Sequence, residues 1–241
     1  MIPFRSYWIE DIELLGEGGF GDVYRVHIHN CFPTHPNQNH VITTYAKKVL
    51  NPKDVPETNQ ARRFSREVLC QSKFSHPNIV QVVMHNLNNQ NPWFIMELGE
   101  TSLQDELAHN TLSDSEKIIA LKMLLSAVEY IHNFRDKDGI TGYVHRDIKP
   151  ANILKFKNGV YKLSDFGLIR TQDPTATSKL TTIGSVFTSG RYTAPEVRYS
   201  GDYTIQSDIY SIGKVIQDLN LGENFDLIAD KCCRDQPKQS L

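Results

Sequence analysis

Apolar and polar positions alternate from Ile12 to Val26 and again from Val41 to Val49, the period of half-buried strands. Within the first stretch, strand-like runs Ile12 to Leu15 and Val23 to Ile28 flank a glycine-rich turn. The polar stretch Cys31 to His40 reads as a long loop before the third strand. The period then lengthens: Ala61 to Phe74 predicts an amphipathic helix with Phe64, Val68 and Leu69 facing inward. Trp93 to Gly99 reads as a buried strand running into a connector. Ser113-Asp114-Ser115-Glu116 is a capping box ahead of a helical run through Ile118, Leu121, Leu125, Val128 and Ile131. Phe225 to Cys233 places Phe225, Ile228 and Cys232 on one helical face.

Composition narrows the classes. At 241 residues the chain can bury a sizeable core in one large or two small domains. A net charge of -2 argues against bulk binding to nucleic acid or to an anionic membrane. No apolar stretch approaches the ~20 residues of a membrane span. Met1-Ile2-Pro3-Phe4-Arg5 lacks the basic start and apolar core of a secretory signal, so a cytoplasmic home is expected. Four cysteines without a C-x-x-C pair read as reduced, structural thiols. The histidines from His27 to His40 are the one place where metal has to be weighed. Their spacing fits no familiar zinc finger, and the Pro, Asn and Gln around them favour a solvated loop.

Chemistry concentrates in two strings. The first is His145-Arg146-Asp147-Ile148-Lys149-Pro150-Ala151-Asn152, the second Ser164-Asp165-Phe166-Gly167. Together they supply one carboxylate for a nucleophile and an Asn/Asp pair of hard oxygen donors for a metal. Near the N-terminus, Gly16-Glu17-Gly18-Gly19-Phe20-Gly21-Asp22-Val23 has the G-x-G-x-x-G-x-V spacing. Alone that spacing is shared with dinucleotide-binding proteins and plain turns. Here strands lie on both sides, whereas a dinucleotide loop opens a helix. In Thr44 to Leu50 the strand period puts Ala46 and Lys48 on one face; a solvated edge carrying Lys47 and Lys48 is the plain alternative.

In this order, with Ala194-Pro195-Glu196 following, the motifs resemble the eukaryotic-type (Hanks-type) Ser/Thr protein kinases. The resemblance implies an α+β, bilobal fold. Its N-lobe, about residues 1 to 96, is a small antiparallel sheet with helix C; a hinge covers about 97 to 100; a mainly helical C-lobe, about 101 to 241, lacks some C-terminal helices. It implies ATP and Mg2+ as cofactors and transfer of the γ-phosphoryl group to Ser/Thr hydroxyls of proteins. Gly16, Gly18 and Gly21 would lie over the phosphates, Lys48 would neutralise them and Glu67 would hold Lys48. Leu15, Val23, Ala46, Met96 and Leu154 would surround the base, with backbone groups of Glu97 and Leu98 meeting it; Met96 serves equally as a core residue. Asp147 would orient the incoming hydroxyl, Lys149 would reach the γ-phosphate, and Asn152 and Asp165 would ligate Mg2+.

The same resemblance implies control. Arg146 would present a charge to a phosphate on the activation segment, with Thr181, Thr182 and Ser185 as the expected autophosphorylation sites. Ser189 stands where the family has a threonine that bonds the catalytic Asp and Lys. Helix C is the expected contact of an activating partner protein, and Gln71 takes a position usually apolar, which predicts a loosely docked helix. Gln239 stands near where the family pairs an arginine with the glutamate equivalent to Glu196. No partnership with nucleic acid or membrane is expected. A pseudokinase scaffold would have lost one of Lys48, Asp147, Asn152 or Asp165, and none is lost. A small-molecule phosphotransferase would not be expected to combine Lys149 with Ala194-Pro195-Glu196.

Overall fold

The computed structural model describes residues 2–4, 7–18, 21–30, 43–50, 57–137, 139, 142–171, 190–201 and 203–234. The chain divides into two compact units, Met1–Ser72 with Val80–Leu98, and Lys73–Ile79 with Gly99–Leu241.

The first unit contains β1 (Ile2–Phe4), β2 (Tyr7–Gly18), β3 (Gly21–Asn30), β4 (Thr43–Val49), α1 (Glu57–Gln71), β5 (Val82–Asn86) and β6 (Trp93–Met96). The strands form one antiparallel sheet in the order β1-β2-β3-β4-β6-β5. Period-2 alternation sends Ile9, Val26, Ile28, Trp93 and Ile95 into a core, with Tyr24, Tyr45, Val49 and Met84 packed on it. The register of β2 on β3 shifts between Asp11 and Glu13 and again between Leu14 and Gly16. These irregularities break the alternation, and the apolar run Ile12, Leu14, Leu15 is exposed although it forms strand as expected.

Helix α1 buries Phe64 and Val68, with the Phe64 ring 5.4 Å from that of Phe94. Leu69 does not join them. One residue beyond Val68 it is rotated about 100° off the buried stripe, and it is 52% exposed. Gln71, the position expected to loosen the helix, does find a partner. Gln71 is buried and its side-chain N–H donates to the Val80 carbonyl at 2.8 Å, tying the last turn of the helix to the segment before β5. Its amide oxygen has no hydrogen-bond partner among the described residues.

The second unit contains β7 (Thr101–Ser102), α2 (Leu103–Ala108), α3 (Asp114–Asn133), β8 (Tyr143–Val144), β9 (Ile153–Lys155), β10 (Tyr161–Leu163), β11 (Arg170–Thr171), α4 (Pro195–Ser200), α5 (Ile205–Leu219) and α6 (Glu223–Cys232). Strands β10, β9 and β7 make one small sheet and β11 with β8 another. The capping box at the start of α3 is complete: the Ser113 hydroxyl accepts the Glu116 N–H and the Glu116 carboxylate accepts the Ser113 N–H. The buried line of α3 runs through Leu121, Leu124, Val128 and Ile131, and Leu125, rotated about 100° from its neighbour Leu124, is 42% exposed; both positions keep three- and four-residue steps, and packing selects 124.

Helices α5 and α6 meet at Gly213, where an added Cβ would lie 2.7 Å from Cys232 Cβ and from Cys233 Sγ. So close an approach favours the small Ala229 at the contact. Ala229 is fully buried and Ile228, expected inward, is 47% exposed. Among the described residues no helix is long and apolar enough to cross a membrane.

Phe74 anchors the second unit. It is buried and its ring lies 5.0 to 6.1 Å from those of Phe134, Tyr143, Phe166 and Tyr130. Truncation removes edge-to-face contacts as well as apolar area. Phe74→Ala is expected to cost about 3–5 kcal/mol in denaturant unfolding, against little change for truncation of the exposed Leu125.

Candidate active site

Each unit carries part of the chemistry. In the first, the tip of the β2–β3 hairpin pairs Gly18 with Gly21 and Gly16 with Val23. The two outer glycines differ in their surroundings. Among the described residues nothing lies within 4 Å of a Cβ added to Gly16, whereas one added to Gly21, at φ 142°, would collide with the Val49 carbonyl oxygen. Leu15 is exposed and Val23 half-buried.

Strand β4 runs between β3 and β6, so Lys48 faces Val23 on one side and Phe94 on the other. Its ammonium lies 2.6 Å from Glu67 on α1, with both side chains buried. Removing one partner of such a pair leaves a desolvated charge, at a cost of about 3–5 kcal/mol. Lys47 points to the opposite face and pairs with Asp11 at 2.5 Å. Ala46 pairs with Met96 across the ladder and both are buried. After β6, Glu97 is clamped from two directions: its N–H donates to the Gln81 carbonyl at 3.1 Å and its carboxylate accepts the Gln81 N–H at 2.9 Å. The Leu98 to Gly99 step ends the first unit. Leu154 belongs to the second, on β9, so near Gly99 that a Cβ there would lie 2.9 Å from its own.

In the second unit β8 delivers the chain into the loop His145 to Lys149, and a 3-10 turn at Pro150–Asn152 carries it into β9. The carboxylate of Asp208 on α5 accepts the N–H groups of His145 at 2.8 Å and Arg146 at 2.9 Å, and bonds His132 Nε2 at 2.8 Å. Arg146 has φ 76° and Asp165 φ 60°, both left-handed and unfavourable for side chains of this kind. Asp147 lies within this frame. Lys149 Nζ donates to its carboxylate oxygens at 3.1 and 3.0 Å, and Asn152 Nδ2 donates to its carbonyl at 2.8 Å and its Oδ2 at 2.9 Å.

The Asn152 amide nitrogen is thus committed to Asp147, while its oxygen is the atom a cation would use. The Ser164 N–H donates to the Asn152 carbonyl at 2.9 Å, which sets Asp165 one residue beyond that link. An amide oxygen and a carboxylate are hard donors and fit Mg2+. The Arg146 guanidinium stacks 3.7 Å above the Tyr203 ring and donates to the Leu168 carbonyl at 3.2 Å. Thr181, Thr182, Ser185 and Ser189 lie outside the described residues, as does Gln239. Glu196, on α4, accepts the Ser207 hydroxyl at 3.3 Å.

His132 and Tyr203 had no distinguishing signal in the sequence. His132 lies near the end of a long helix, where a basic residue is ordinary, and a lone tyrosine before a capped helix has no pattern of its own.

His145 is fully buried against the Phe166 ring, and its Nδ1 accepts the Asp147 N–H at 3.3 Å. Burial pushes its imidazole below the usual value, opposed by the carboxylates of Asp208, Asp147 and Asp165 and by the Ser164 backbone.

The chain matches the protein kinase domain family over residues 9–226. It is 35% identical over 190 residues to the serine/threonine-protein kinase CHK1 of Saccharomyces cerevisiae, covering 76% of this chain and 32% of that protein. It is 30% identical over 224 residues to a receptor-like serine/threonine-protein kinase of Arabidopsis thaliana, covering 92% of this chain and 57% of the relative. The chain belongs to the protein kinase domain family, and it spans 32% and 57% of the length of these two relatives.

The buried, neutral His145 makes stability depend on pH. The unfolded chain takes up a proton at this ring below about pH 6.5 and the folded chain does so only at lower pH. Its contribution is therefore intact above that value and is lost as pH falls toward the folded one. Denaturant unfolding is expected to show the wild type losing stability more steeply than His145→Leu below about pH 6.5, by up to about 1.4 kcal/mol per pH unit.

Proposed function

We propose that the chain is an ATP-dependent protein kinase acting on Ser/Thr hydroxyls. The observation that carries this reading is the Asp147 carboxylate, held by Lys149 and Asn152 on a loop that Asp208 fixes from below. A structural loop aspartate has no need of a lysine and an amide both aimed at it.

In this mechanism Asp147 accepts the proton of the incoming hydroxyl as that oxygen forms its bond to the γ-phosphorus. The bond from the γ-phosphorus to the β,γ-bridging oxygen breaks, and its electron pair leaves with ADP. Lys149, beside Asp147, offsets charge on the transferred group, and Lys48, held by Glu67, offsets charge on the α- and β-phosphates. Gly16, Gly18 and Gly21 let the backbone approach the phosphates. Asn152 and Asp165 would hold Mg2+, which when bound neutralises phosphate charge. Leu15, Val23, Ala46, Met96, Glu97, Leu98 and Leu154 are the residues proposed for the base. With the Glu97 N–H given to Gln81, the carbonyl of Glu97 and the groups of Leu98 remain the candidates for its polar edge.

Control is proposed on the same footing: autophosphorylation at Thr181, Thr182 or Ser185, with Arg146 receiving the phosphate and Ser189 supporting the catalytic Asp and Lys. An activating partner protein on α1 is favoured by the exposure of Leu69 on that helix. A cytoplasmic location is proposed as well, in keeping with a sequence whose four cysteines include no C-x-x-C pair.

Two measurements test the catalytic assignment. With labelled ATP-Mg2+ and generic protein substrates, Asp147→Asn is expected to lower turnover by several orders of magnitude while leaving the circular dichroism spectrum and nucleotide binding unchanged. Retained turnover would refute the role of Asp147. Lys48→Met should abolish transfer and Lys47→Met should preserve it; the reverse result would move the phosphate-binding lysine to position 47. Mass spectrometry before and after ATP is expected to find new phosphate between Asp165 and Glu196 in the wild type and none in Asp147→Asn.

A further inference from the structure

The β2–β3 hairpin carries chemistry at its base that phosphoryl transfer does not use. Ile9, Val26 and Ile28 face the core, so strand alternation puts Glu10, His27 and His29 together on the opposite face. Glu10 is the direct cross-strand partner of His27, and His29 lies two residues further along the same face. One ligand atom from each of the three lies within 4.8 Å of the other two. His29 Nε2 and Glu10 Oε2 are 3.2 Å apart, close to the spacing of two ligands on one tetrahedral ion with bonds of about 2.1 Å. The two imidazoles meet edge to face, 6.3 Å between centroids and 71° between planes, so they do not stack.

We propose that Glu10, His27 and His29 bind a single zinc ion through two imidazole nitrogens and one carboxylate oxygen, leaving a coordination position for water. An ion pair between Glu10 and His29 alone is the simpler account of their contact. It is partly exposed, with side-chain accessibilities of 40% and 23%, and pairs of that kind contribute about 0–1 kcal/mol. It also gives no role to His27, whose side chain completes the cluster. The donor set selects the class of ion. Mg2+ prefers an all-oxygen shell, while borderline divalent ions take imidazole with carboxylate. The partial exposure gives an ion and its water access from solvent. The site requires nothing of the kinase reading. Its consequence is structural: the ion ties both strands of the hairpin together at the end away from Gly16, Gly18 and Gly21.

The test uses the whole chain stripped of metal with EDTA and then dialysed. Zinc is titrated in competition with a chromophoric chelator, in the presence of excess Mg2+. The proposal expects one zinc per chain dependent on these three residues. Glu10→Gln and His29→Gln should each weaken binding at least about 10-fold, and His27→Ala combined with His29→Ala should remove the equivalent. Trp8, the cross-strand partner of His29, provides a fluorescence signal that should change on zinc addition in the wild type and not in the double variant. Cobalt in place of zinc should give ligand-field bands without thiolate charge transfer. Melting in EDTA shows which variants fold as the wild type does, and the conservative Gln variants carry the test if the double variant does not. The proposal is overturned if the wild type takes up no zinc at about 100 μM free ion, if folded variants keep the equivalent, or if a thiolate band places the metal on a cysteine.

Discussion

The carboxylate of Asp208, inaccessible to solvent on α5, accepts two consecutive main-chain N–H groups from the loop that follows β8 and a third contact from His132. The geometry of the second unit's chemistry depends on this. Arg146 has to pass through a left-handed conformation for the loop to turn, at a cost of about 1–3 kcal/mol. Hydrogen bonds to an ionised acceptor each contribute roughly 1.5–3 kcal/mol, so the two main-chain donors offset that strain. Asp147 is the next residue, and the direction of its carboxylate is inherited from the turn. Lys149 and Asn152 then hold the side chain that Asp208 has aimed.

The first unit uses a different device for the same end. Lys48 sits on β4, between β3 and β6 in the six-stranded sheet, and its charge is balanced by a carboxylate from helix α1. The buried Phe64, Val68 and Gln71 keep α1 where Glu67 can reach. A buried ion pair adds little net stability but strongly penalises any arrangement that separates its partners. The pair therefore acts more as a constraint on helix position than as a source of stability.

Much of this was legible in the sequence because it rests on short, local patterns. The glycine turn, the strand that carries Lys48, the capping box at Ser113 and the loop from His145 to Asn152 each fall within a dozen residues. What escaped depends on choices between neighbours or on distant partners. Helical periodicity marked α1, α3 and α6 but put Leu69, Leu125 and Ile228 on the wrong side, since adjacent residues differ by about 100° and only packing decides which one is inside. Gln71 looked like a defect in an apolar position, and its acceptor, the Val80 carbonyl, belongs to a segment whose path the sequence does not reveal. Segment Lys73–Ile79 joins the second unit through the rings around Phe74, a grouping no local pattern announces. Glu10 precedes the first strand read from the sequence, which starts at Ile12, and His27 and His29 were grouped with the histidines of a presumed loop; cross-strand register alone unites the three.

The contrast between Gly16 and Gly21 bears on how a glycine-rich motif is to be read in experiments. Both have the same spacing logic, yet Gly21 is fixed by the backbone of β4 and an added Cβ at Gly16 meets none of the described residues. Loss of activity on placing alanine at 21 would mix damage to the hairpin's seat on the next strand with any effect on nucleotide. Alanine at 16 meets no neighbour among the described residues, so its effect is a cleaner gauge of what approaches from outside. One motif thus contains an internal control, with one glycine demanded by the fold and the other left for a ligand to demand.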